Sequence, residues 1–125
     1  GATAQTTQTI TVEIPSYFEN TTTTVIPDHN WAYSDMVVDR EGAANTVAVS
    51  VGISHTDRGN IKLELVAPDG SVYVLKKHAR KDNVADIKAT YTVDVSGDAA
   101  GNWTLQVKDQ YWGDVGQLNN WSLQF

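Results

Sequence analysis

Apolar residues alternate with small or polar ones over most of this chain. Val47, Val49, Val51 and Ile53 form one run; Ile61, Leu63 and Leu65 form the next, followed by Val72 and Val74. Tyr91, Val93 and Val95 continue the pattern, then Trp103, Leu105 and Val107, and finally Trp121, Leu123 and Phe125. In an extended chain, successive side chains point to opposite faces, so each run predicts a strand with one buried face. Ile10, Val12 and Ile14 repeat the pattern near the start, and Met36–Val38 predicts a further short strand. No window of about 11 residues shows the 3.6-residue period of an amphipathic helix.

Turn-forming residues separate the runs. In Ala67-Pro68-Asp69-Gly70, proline presets φ for the second turn position and Gly70 tolerates a positive φ. Residues 61–66 and 71–77 are therefore expected to form a hairpin. Arg58-Gly59-Asn60, the stretch 96–101 and the stretch 112–116 are further breaks, and Thr21–Thr24 fits either a strand or a linker. About eight or nine short strands at this spacing predict an all-β sandwich or jelly roll.

A length of 125 residues fits one domain and is long enough to bury a core. There is no cysteine, hence no disulfide framework and no thiol nucleophile. Nine basic and fifteen acidic residues give a net charge of −6. Such a field repels nucleic acid and anionic lipid, and excludes both as partners. No apolar run approaches the roughly 20 residues of a membrane span, and no leader pattern opens the chain. The opening residues GATAQTTQT read as a linker or a cloning remnant, and the chain as a fragment of a larger protein. The expected division is residues 1–24, linker or remnant with room for a first strand, and 25–125, the domain proper.

Catalytic chemistry is poorly represented. His29, His55 and His78 have no partners at metal-motif spacing. Ser54 and His55 are adjacent and so face opposite sides of a strand; His55 and Asp57 share a side, but no serine has the G-x-S-x-G setting. The acids sit mainly at turns, where they serve backbone geometry rather than paired acid–base work. His55 reads as a hydrogen-bonded residue at a strand end. Trp103 and Trp121 are in phase with aliphatic residues and are expected in the core, whereas Tyr111 and Trp112 lie off phase and are expected at the surface. Asp109 and Asp114 supply hard oxygens suited to calcium, or else cap tight turns around Gly113 and Gly116. The N-x-S/T sequences at Asn20, Asn102 and Asn120 read as chance.

Five blocks carry a resemblance in the right order: Ile26-Pro27-Asp28, residues 53–75 (ISHTDRGNIKLELVAPDGSVYVL), 89–94 (ATYTVD), 101–109 (GNWTLQVKD) and 113–125 (GDVGQLNNWSLQF). Together they resemble the P domain, or P/Homo B domain, which follows the catalytic domain of kexin- and furin-like convertases. It also trails secreted bacterial subtilisin-type peptidases and some zinc metallopeptidases. The likeness covers residues 25–125. Three positions depart from the family pattern: Asn60 stands where the family usually has the aspartate of R-G-D-L, Asn102 where it has the threonine of G-T-W, and Val115 where it has the threonine of G-D-T-G.

The resemblance implies a jelly-roll sandwich of the galactose-binding-like kind, and a non-catalytic, extracellular module. Its implied partner is the catalytic protease domain of the same polypeptide, of subtilisin/kexin serine type, with protein substrate as a second partner. The isolated domain is expected to be monomeric. His55, Asp57, Arg58, Tyr111 and Trp112 are the expected docking residues. Asp28, Asp109 and Asp114 are the expected ligands of a structural calcium. The alternatives are a carbohydrate- or matrix-binding module of a secreted hydrolase, or the same domain on a zinc metallopeptidase.

Overall fold

In a computed structural model, residues 14–125 are described. Nine strands form two antiparallel sheets packed face to face. They are β1 (Tyr17–Asn20), β2 (Thr24–Ile26), β3 (Trp31–Val38), β4 (Ala43–His55), β5 (Ile61–Val66), β6 (Val72–Lys76), β7 (Ile87–Asp98), β8 (Gly101–Asp109) and β9 (Gly116–Gln124). The first sheet has the order β1-β9-β4-β7, with β2 also pairing β9; the second has the order β3-β8-β5-β6. This is the expected jelly-roll type of sandwich. A short 3-10 turn, Arg58–Asn60, joins β4 to β5.

The alternating runs form the core. Val47, Val49 and Val51 of β4 face Leu63 and Leu65 of β5 and Leu105 and Val107 of β8, with Trp103 and Trp121 fully buried among them. Each buried indole N–H finds an acceptor: Trp103 Nε1 donates to the Ala99 carbonyl at 2.8 Å and Trp121 Nε1 to Ser34 Oγ at 2.9 Å. The second bond ties β9 of one sheet to β3 of the other.

The predicted hairpin joins β5 to β6. Gly70 N–H donates to the Ala67 carbonyl at 2.9 Å and Gly70 adopts φ +87°, as the turn chemistry requires. Its phase differs from expectation, however: Val72 and Val74 are exposed, and Tyr73 and Leu75 pack on the core. The register explains this, since Val66, which faces outward, pairs with Val72, while inward Leu65 pairs with Tyr73. The Met36–Val38 run is the end of a longer strand that begins at Trp31. Of the expected first strand, Ile10 and Val12 lie outside the described residues, and exposed Ile14 precedes β1. Within 1–24, Tyr17–Asn20 pairs with β9 and is part of the sheet.

The topology gives the sandwich two unlike ends. Phe125 N–H donates to the Ser16 carbonyl, so residues 16 and 125 meet at one end. The other end gathers the segments 26–31, 55–61, 77–86 and 109–116, because β2, β4, β6 and β8 finish there while β3, β5, β7 and β9 start there.

Ser34→Ala removes the acceptor of a buried indole N–H and is expected to cost about 1–3 kcal/mol. Urea denaturation should show a lower midpoint with an unchanged slope.

Candidate functional site

The loop end is built around one buried pair. His55, at the end of β4, donates from Nε2 to Asp109 Oδ2 at 3.0 Å; Asp109 is the last residue of β8, and both side chains are fully shielded. Asp57 N–H donates to His55 Nδ1 at 3.0 Å, which makes Nδ1 the acceptor and Nε2 the donor. Tyr111 N–H donates to Asp109 Oδ1. One ring and one carboxylate thus fix the starts of two loops and join the two sheets. Burial pushes the Asp109 carboxyl above its ordinary value, against the hydrogen bonds from His55 and Tyr111 that favour the anion.

The segment 58–61 is wrapped by the segment 77–84. Arg58 Nε donates to Asp82 Oδ2 at 2.8 Å, and this bond holds the Asp82 carboxyl below its usual range. Gly59 N–H donates to the Asp82 carbonyl and Ala79 N–H to the Gly59 carbonyl. A Cβ at residue 59 would lie 2.2 Å from both the Ala79 and Asp82 carbonyl oxygens, so only glycine fits. Lys76 Nζ donates to the carbonyls of Arg58 and Ile61 at 2.9 Å and of Lys77 at 3.2 Å. Its ammonium gathers main-chain oxygens as a bound cation would. Burial lowers its pKa from the usual lysine value.

The residues expected to contact a partner fall into two groups. His55 lies inside, so its side chain positions loops rather than meeting another surface. Asp57 and Arg58 are half-buried and tied into the loop scaffold, and Asp57 Oδ1 is shielded without a hydrogen-bond partner. Tyr111 is half-buried, flanked by His78 edge-on at 5.7 Å and by the Arg80 guanidinium at 5.3 Å. Trp112 is 73% exposed and stacks one face on His29 at 4.3 Å. Of the five, Trp112 is the one displayed to solvent.

The three expected calcium ligands do not form one cage. Asp28 accepts from Gly113 N–H at 3.0 Å, Asp109 is committed to His55, and Asp114 accepts from Thr56 Oγ1 at 2.8 Å and from Asn60 Nδ2 at 3.0 Å. Among the described residues, no three His, Cys, Asp or Glu side chains converge as a metal requires, and the lone orphaned oxygen of Asp57 does not complete a set. Asn60 accounts for part of this: an aspartate there would face the Asp114 carboxylate, whereas the amide donates to it.

Sequence reasoning missed an apolar rim on the same end. Val25 is 68% exposed, Val115 64% and Val84 52%. Val25, Ala85 and Val115 wall a recess of about 500 Å³ whose edge carries Thr56, Asp86 and Gln117. Val115 was the available signal: an apolar residue inside a tight Gly113–Gly116 turn has no local structural use.

Two packed antiparallel sheets with four loop segments gathered at one end define a jelly-roll module. Residues 44–125 match the family model of the proprotein convertase P-domain, and the chain belongs to that family. It is 45% identical over 113 residues to the transglutaminase-activating metalloprotease of Streptomyces mobaraensis, covering 88% of this chain and 15% of that protein. It is 34% identical over 86 residues to the extracellular basic protease of Dichelobacter nodosus, covering 69% of this chain and 14% of that protein. The fold is shared with a serine protease of Aeromonas sobria at a TM-score of 0.73 and 17% identity, over 94% of this chain and 27% of that one. The chain therefore spans a small fraction of the proteases it matches. No helix among the described residues is long and apolar enough to cross a membrane.

Asp109→Ala strands the His55 and Tyr111 donors and is expected to cost about 3 kcal/mol in urea denaturation. Because the folded Asp109 value is raised, the folded state binds the proton more tightly than the unfolded state. This contribution to stability is full below the ordinary value of 3.8 and is lost as pH rises through the raised value. The stability of wild type relative to Asp109→Asn should therefore grow as pH falls towards 4; a flat difference would show that burial does not control this carboxyl. Melting in excess chelator is expected to match melting in millimolar calcium, since protein donors already occupy the carboxylates. A rise of several degrees in calcium would instead place an ion in this loop.

Proposed function

We propose that this domain is the non-catalytic accessory module of an extracellular bacterial endopeptidase, packing against the peptidase domain of the same polypeptide and stabilising its folded state. The observation that carries this reading is the family membership, combined with a rigid loop end that displays Trp112, Val25, Val84 and Val115 to solvent. Apolar side chains exposed above a buried scaffold offer an interaction surface. The role does not depend on the chemistry of the attached enzyme, and the relatives include both a metalloprotease and a serine protease fold. A subtilisin-type serine peptidase follows from the kexin-like resemblance; the zinc metallopeptidase alternative draws its support from the more similar sequence.

Linkage supplies the physical mechanism. A partner that binds only the folded state stabilises it, and a tether raises that partner's effective concentration. At about 1 mM effective concentration, an interface with a Kd of about 10 μM contributes about 2.7 kcal/mol. A modest surface therefore suffices. A carbohydrate-binding role would rest on the free face of Trp112, since its other face lies on His29 and Tyr111 is flanked by His78 and Arg80.

The full-length protein is compared with a version from which residues 14–125 are deleted. Removal of this domain is expected to lower the melting temperature of the peptidase by several degrees while its active-site titre is unchanged. A peptidase equally stable after removal would refute the accessory role.

A further inference from the structure

The geometry points to the recess between Val25, Ala85 and Val115 as the socket in which this domain seats an apolar side chain of its peptidase domain, from a segment that also carries a basic residue. This rests on the accessory role proposed above and names the surface and the chemistry of the contact.

The recess has the features of an anchor site. Its walls come from three separated segments: Val25 on β2, Ala85 just before β7 and Val115 just before β9. Val25 and Val115 each expose about two thirds of their surface (68% and 64%). The footing is rigid, because the neighbouring end of β4 is held by the His55–Asp109 pair. A shallow recess already formed in the free domain loses little conformational freedom when an apolar side chain settles on it.

The electrostatics select the flanking group. None of the residues lining the recess is Lys or Arg, and Asp86 stands on its edge. Asp86 is held in the left-handed region at φ +66°: its N–H donates to the His55 carbonyl at 2.8 Å, and its Oδ1 accepts from His55 N–H at 2.9 Å. A non-glycine residue in that region is strained, and the two-point clamp to His55 maintains it. The clamp leaves Asp86 Oδ2 without a hydrogen-bond partner among the described residues, beside the apolar walls. An arginine or lysine next to the anchoring side chain complements this acid on a domain whose net charge is −6. A larger groove, of about 600 Å³ over Gly52, is lined largely by hydroxyl, amide and charged side chains such as Ser50, Thr90, Asn119 and Asn120, and offers no comparable anchor point.

The test uses the full-length polypeptide. Val115→Asp and Val25→Asp replace exposed side chains, so the transition of this domain itself should be unmoved. Both are expected to lower the melting temperature of the peptidase domain by the amount that excision of the whole domain does. Asp86→Asn should lower it in part and weaken its dependence on salt. Val37→Asp, on the equally exposed outer face of β3, is the control and should have no effect. If excision destabilises the peptidase but Val115→Asp and Val25→Asp do not, the socket is wrong while the accessory role stands. If excision itself has no effect, the accessory role fails and the socket fails with it. If the variants leave the melting temperature intact but reduce hydrolysis of protein substrates relative to a short peptide, the recess serves substrate and the inference is overturned.

Discussion

The contact between His55 and Asp109 organises this domain's loop end. It joins the last residue of β4 in one sheet to the last residue of β8 in the other, with both side chains removed from water. Burying a carboxylate is costly, and a buried pair gives little net stability compared with apolar packing. What it does supply is geometry. With Asp57 N–H on Nδ1 and Tyr111 N–H on Oδ1, every polar atom of the pair is directed, and two loops leave the sandwich in fixed directions.

Several other charges at this end are met within the protein. Asp114 takes donors from Thr56 and Asn60, Asp28 takes the Gly113 N–H, and Arg58 pairs with Asp82. Lys76 places an ammonium among main-chain carbonyls that would otherwise point at one another. Asn60 and Asp114 form a complementary couple, the amide donating to the carboxylate. These arrangements fix irregular backbone segments without help from disulfides, of which a cysteine-free chain has none.

A rigid scaffold beneath an apolar, acid-edged surface is a sound design for a tethered partner. The tether supplies concentration, so the surface needs only to be preformed and selective. At the opposite end, where residues 16 and 125 meet, main-chain pairing joins the two segments. The asymmetry follows from topology, since four strands end and four begin at the loop end.

The amino-acid sequence alone was enough to determine most of the strands from β4 onward, the buried tryptophans, the Ala67–Gly70 hairpin and the family. Alternation, turn residues and ordered motifs are local properties, and local physics reads them directly. It misjudged the phase of Val72 and Val74, because pairing register, not alternation, decides which face of β6 is inward. It listed His55 among surface contacts although the ring is buried, and it could not read which protein donors Asp28, Asp109 and Asp114 meet. The two gaps share a cause. Whether a carboxylate meets a metal, a histidine or an amide depends on which distant segment folds against it, and the partners here lie 54 residues away for Asp109 and 85 for Asp28. The recess is likewise a tertiary object: Val25, Ala85 and Val115 are ordinary residues until β2, β7 and β9 bring them to one end of the sandwich.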